Sequence, residues 1–158
     1  MKNIRGILLG ELLFILLVFG LVLFACGGNL VSITWYLDIP SLLFMLVFTI
    51  PGLMIMGVWK DFRKAFSVGM KDYRLLELKN IVGAVAAAQK VVVYAALFSM
   101  LISAVIILAH IPDISMIGPN LAVCFLSALY AVILEFLLLP LRLNAERKMN
   151  EEMDFEDE

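Results

Sequence analysis

Long apolar runs alternating with short polar stretches set the pattern of this chain. The runs fall at about residues 7–25, 41–59, 91–109 and 119–140. At about 1.5 Å per residue in a helix, each approaches the ~30 Å hydrocarbon thickness of a bilayer. The pattern therefore predicts four transmembrane helices in one all-α membrane domain covering 1–158. The polar region between the second and third runs, 60–90, is rich in charge. Within it Phe62, Phe66, Met70 and Tyr73 recur at helical spacing, which predicts an amphipathic helix anchored at the membrane surface. The last stretch, 142–158, is a polar acidic tail, and its end, EEMDFEDE, is expected to be disordered.

Local punctuation supports these boundaries. Gly6 and Gly10 form a small-xxx-small pair that lets a neighbouring backbone approach the first helix. Gly27, Gly28 and Asn29 then mark a loop, and Trp35 and Tyr36 suit a membrane interface. Asp38-Ile39-Pro40-Ser41 reads as the start of the second helix, since the fixed φ of Pro40 and its missing N–H cost nothing in a first turn. An aspartate there also complements the helix dipole. Pro51-Gly52 predicts a kink in mid-helix. Gly83, Ala84 and Ala86 to Ala88 precede the third run and favour tight contact. Pro112 and Asp113 mark the turn before the fourth.

Composition agrees: 63% of the 158 residues are hydrophobic and 16% charged, a balance outside that of soluble domains. The net charge of −2 says less than its placement. All twelve Lys and Arg residues lie before the first run, within 60–90, or from Arg142 onward, and the loops at 26–39 and 110–118 contain none. By the positive-inside rule both termini and the middle region are expected in the cytoplasm. The basic start, apolar run and Cys26 also resemble a lipoprotein signal peptide. Glu11 inside that run and Phe24 near the cleavage point weigh against it.

The chemistry on offer is sparse. Cys26, Cys124 and the single His110 form neither a disulfide framework nor a metal-ligand spacing. No nucleophile–base set is visible, so neither an enzyme nor a cofactor is expected, and nothing points to a nucleic-acid partner. What remains is a stripe. Cys124, Ser127, Ala128, Ala131 and Glu135 occupy i, i+3, i+4, i+7 and i+11, one side of a helix. In the third run Ala95, Ser99, Ser103 and His110 fall near one face. Two readings stay open for these small residues: close helix packing, with serine hydroxyls bonded locally, or the wall of an ion path. Lys90 and Glu135 lie at similar depth on antiparallel helices, so an intramembrane ion pair is expected. That pair is either a packing device or a station that passes a cation inward. Glu11 reads as an interfacial acid near Lys2 and Arg5, and His110 as a wet interfacial histidine.

Several passages together resemble the A-subunit of the flagellar stator, in the MotA/TolQ/ExbB superfamily of ion-driven motors. The glycine-bearing loop with Asp38-Ile-Pro-Ser41 is similar to the family's first two helices. Leu101-Ile-Ser-Ala-Val-Ile-Ile-Leu is similar to its third. Ile117-Gly-Pro-Asn-Leu-Ala-Val, Leu129-Tyr130 and Leu139-Pro140-Leu resemble its fourth. The resemblance implies a homopentameric ring in the bilayer around a dimer of a single-span B-type subunit. It also implies helices three and four facing the lumen, and coupling of proton or sodium flow to mechanical work. The family's large cytoplasmic domain is missing here. Its threonine positions on the ion path match Ser103-Ala104 and Ser127-Ala128. A non-conducting scaffold of the same fold, or an unrelated small tetraspan transporter or accessory protein, is the alternative.

Overall fold

The computed structural model describes residues 4–25, 27–28, 36, 38–110, 115 and 117–156, the side chains of 4–8, 11, 110, 119, 155 and 156 excepted. Among the described residues the secondary structure is helical, without strands: α1 (Ile4–Ala25), α2 (Ile39–Ile55), α3 (Trp59–Ala65), α4 (Leu75–His110) and α5 (Ile117–Glu156). The chain divides into two compact units, Met1–Ile39 and Pro40–Glu158. The expected roles of Cys26, Trp35, Pro112 and Asp113, and of the Glu11 and His110 side chains, lie outside the described residues.

The first unit contains α1. Its 22 residues span about 33 Å. The helix ends on a Schellman motif. Gly27 takes φ +63, its N–H donates to the Phe24 carbonyl at 3.0 Å, and the Gly28 N–H donates to Leu23 at 2.9 Å. Glycine is required there because a Cβ disfavours the left-handed conformation.

The second unit is built on α4 and α5. Their 36 and 40 residues correspond to about 54 and 60 Å, well beyond a bilayer core, so their polar ends stand outside it. These two helices are long and apolar enough to cross a membrane, and α2 with α3 adds a third crossing if the bent pair is one broken span. The pairing of α4 with α5 follows a heptad. Leu78, Ile81, Val85, Ala88, Val92, Ala95 and Ser99 alternate steps of three and four along α4, and all are buried. Cys124, Ser127, Ala131, Leu138 and Ala145 follow along α5 at steps of three, four, seven and seven, and are buried too. A repeat of about 3.5 residues keeps one seam facing the partner helix over the whole length.

That seam changes two expectations. The expected amphipathic helix does not extend through residues 75–80, because the same repeat carries α4 from Leu75 onward without a break. The surface helix itself is short: α3 stops at Ala65. Residues 142–156 are the end of α5, so the acidic end expected to be disordered is helical through Glu156. Good helix formers fill this stretch, and Arg142–Glu146 at 2.8 Å and Arg147–Glu151 at 3.0 Å pair at i,i+4 along it.

The second run is also shorter than its apolarity suggests. α2 passes through Pro51 without ending. It stops at Ile55, and α3 leaves at 110°. The turn is a second Schellman motif: Gly57 at φ +72 donates to Met54 at 3.0 Å, and Val58 donates to Leu53 at 3.1 Å. The redirection belongs to Gly57, where a left-handed residue ends the helix. Pro51 removes one hydrogen bond but leaves the flanking turns intact.

α3 packs on the polar start of α4. Ala65 and Val68 are buried beneath it. Lys64 Nζ lies 3.2 Å from both Asp61 and Glu77. The hydrogen bonds that the Lys64 ammonium donates to Asp61 and Glu77 raise its pKa. The Lys64 ammonium, followed by the Arg74 backbone N–H, lowers that of Glu77. Ser67 Oγ and Tyr73 OH bond at 2.8 Å, and Lys148 donates to the Lys71 carbonyl at 3.4 Å. The turn between α3 and α4 is thereby tied to both long helices.

Candidate functional site

The small stripe of α5 lies in the seam. Ser127 is 0% exposed and Cys124 2%, while Ser99 opposite is 4%. The two serine hydroxyls bond each other at 3.1 Å. Each supplies the other's partner in an interior that offers no water, which an isolated buried hydroxyl needs. Small side chains allow the two backbones to come close, and the hydrogen bond fills the remaining polar need. Within the chain Ser99, Cys124 and Ser127 therefore pack in the α4–α5 seam, and Ala131 borders both the seam and the recess beside it. The heptad explains it, because the stripe is the α5 half of a helix–helix seam. Ser103, one turn further along α4, and Ala128 are half-buried.

Beside the seam the pair leaves a recess of about 430 Å³. Ala96, Ala128 and Ala131 form its floor, Leu97, Val132 and Phe136 its sides, and Gln89 and Glu135 one end. A floor of three alanines between two long helices is the shape into which another helix fits.

The polar end is a short chain of hydrogen bonds. Arg142 Nε donates to Glu146 Oε1 at 2.8 Å, and Arg142 Nη1 to Gln89 Oε1 at 3.4 Å. Gln89 Nε2 in turn donates to Glu135 Oε2 at 2.9 Å. The expected Lys90–Glu135 ion pair is not formed. The residue that reaches Glu135 is Gln89, which borders the seam at Ala88, whereas Lys90 lies a further ~100° round the helix. Lys90 lines a shallower recess with Tyr94 and Arg142. Glu135 Oε1 is buried and has no hydrogen-bond partner. Burying a carboxylate oxygen without a hydrogen bond carries a desolvation cost.

Gln89 and Arg142 were not among the residues singled out from the sequence. One signal was available: Gln89 is the only glutamine in the chain, and it interrupts an otherwise apolar run. Among the described residues no group of His, Cys, Asp and Glu could hold a metal ion.

A scan of protein-family models finds none that matches the chain, and no curated protein or solved structure matches it either.

Proposed function

We propose that this chain is a stator-like A-subunit of an ion-driven motor in the bacterial inner membrane. In this reading α1, α2, α4 and α5 are four spans with both termini in the cytoplasm. Copies assemble as a ring, a pentamer by the stator resemblance, around a dimer of a single-span partner, and proton or sodium flow is coupled to mechanical work. The observation that carries it is the alanine-floored recess on the α4–α5 pair, with the unpartnered Glu135 oxygen at its end. That surface combines room for a close-packed helix with an acceptor for one donor on it. Native mass spectrometry and particle imaging of the purified protein test the assembly. A ring with a central opening is expected, and a monomer or dimer refutes the reading.

A second reading, a non-conducting scaffold of the same fold, is favoured by one observation. Ser99 and Ser127 are bonded to each other and buried in the α4–α5 seam, so neither hydroxyl faces an open path. Proton or sodium flux into liposomes, measured with the single-span partner present, separates the two. Conduction through the Glu135 end predicts that Glu135→Gln cuts flux at least about tenfold with the ring intact, since a neutral amide neither holds nor releases a proton. Flux unchanged in an intact ring removes Glu135 from the path.

A further inference from the structure

α2 uses two of its faces differently. Phe44 and Phe48 meet Phe98 of α4, at ring distances of 6.2 and 5.2 Å. Gly52 comes so near that a Cβ there would lie 3.3 Å from Val91. The adjoining face, which includes Met45, Thr49 and Leu53, looks instead across a groove of about 390 Å³ toward Ile133 and Leu138 of α5. Trp59 and Phe62 of α3 line it as well, their rings stacked at 6.0 Å. Helix ridges so close at one face and so separated at the next leave a gap that interiors do not keep empty. Its apolar walls also exclude water as the filling.

The residues next to the two aromatics are basic. Lys60 follows Trp59 and Arg63 follows Phe62, and both are exposed. Lys64 is neutralised by Asp61 and Glu77, but Lys60 and Arg63 make no ion pair among the described residues. The 110° bend sends α3 away from the direction of α2. A helix that crosses the bilayer and then turns so sharply lays its continuation along the surface, where phosphate groups lie.

We propose that this groove binds an anionic glycerophospholipid, with an acyl chain between α2 and α5 and the phosphate at Lys60 and Arg63. The apolar groove, and the two cations without an ion pair on the helix that borders it, supply the two signals that lipid retention needs. A second copy of the chain fits less well. Residues 59–79 carry six cations and three carboxylates, and a neighbour in the same orientation would bring the same excess positive charge to the same depth.

The test uses the full chain in nanodiscs. One set contains phosphatidylglycerol with a photoreactive acyl chain, and the other phosphatidylcholine with the same chain. Labelled peptides are mapped by mass spectrometry. Phosphatidylglycerol is expected to label α2 and α5 at the groove in preference to phosphatidylcholine. The exposed pair Lys60→Gln and Arg63→Gln should reduce that preference by roughly fivefold for each cation removed. Thr49→Phe, which fills the groove, should abolish the labelling without shifting the thermal midpoint downward. Three results overturn the proposal: equal labelling by both lipids, labelling unaffected by loss of the two cations, or crosslinks from the groove to a second copy in place of lipid. Should Thr49→Phe fail to fold, the Lys60 and Arg63 variants decide the matter alone.

Discussion

Replacing Ser127 by Leu distinguishes a packed seam from an open wall. Ser127 is fully buried, its Oγ is 3.1 Å from that of Ser99, and its neighbours in the seam, Cys124 and Ala131, are 2% and 6% exposed. A leucine adds a branched apolar group where no void accepts it, and overpacking of this kind costs about 1–3 kcal/mol. The lost interhelical hydrogen bond adds less, about 0.6 kcal/mol on average inside membranes. Ser127→Leu should therefore destabilise by about 2–3 kcal/mol. Ser127→Ala, which loses only the bond, should cost about 0.6 kcal/mol. Packing, not hydrogen bonding, is the larger effect. Unfolding of the purified protein in mixed micelles with rising SDS fraction reads both values. If the leucine variant is no less stable than the alanine variant, Ser127 faces open space and the seam is misassigned. A lumen residue would show that pattern, with stability kept while flux is lost.

Three further outcomes follow from the same geometry. Cys124, buried in the seam, should react with a maleimide only on unfolding when tested in a Cys26→Ser background, and rapid labelling of the folded protein would place it on an accessible path. Gly57→Ala should destabilise by about 1–2 kcal/mol, since a Cβ meets the cost of the left-handed conformation and nothing else lies within 4 Å; Gly57→Asn should recover part of this in a thermal melt. The α3–α4 docking should also depend on pH. Glu77 has its pKa lowered, so its contribution is present above the ordinary carboxylate range and lost as pH falls through its folded value. Lys64 has its pKa raised, so its contribution persists below the ordinary lysine range and is lost only as pH rises through the folded value. The protection of α3 amides, taken relative to their intrinsic exchange rate at each pH, should thus be flat near neutrality and fall in acid, and Lys64→Met should remove the acid step.

Much of this was legible in the chain itself. Runs of leucine, valine and phenylalanine announce helices for an apolar medium, because only there do such helices avoid exposing themselves to water. Glycine pairs at 27–28 and the Asp38-Ile39-Pro40-Ser41 start marked the first loop and the beginning of α2 from backbone chemistry alone. The stripe from Cys124 to Glu135 was likewise visible as a periodicity. Its partner was not. A period states that a face exists, but whether that face meets a lumen, a second subunit or the next helix depends on residues 28 positions away, here Ser99 against Ser127. The same limit applies to Glu135. Similar depth on antiparallel helices made Lys90 the natural partner, yet the phase of α4 in the seam presents Gln89. Gly57, in place of Pro51, as the bend, the helical course of residues 142–156, and the groove under α2 were decided in the same way. Each depends on how far one helix can approach another, and that distance is set by both surfaces at once. The apolar pattern thus determined by itself that this is an all-helical chain for a membrane. Only the tertiary structure decided that its small-residue stripe packs between α4 and α5, with the Ala128 recess beside the seam and the Glu135 carboxylate at the end of that recess.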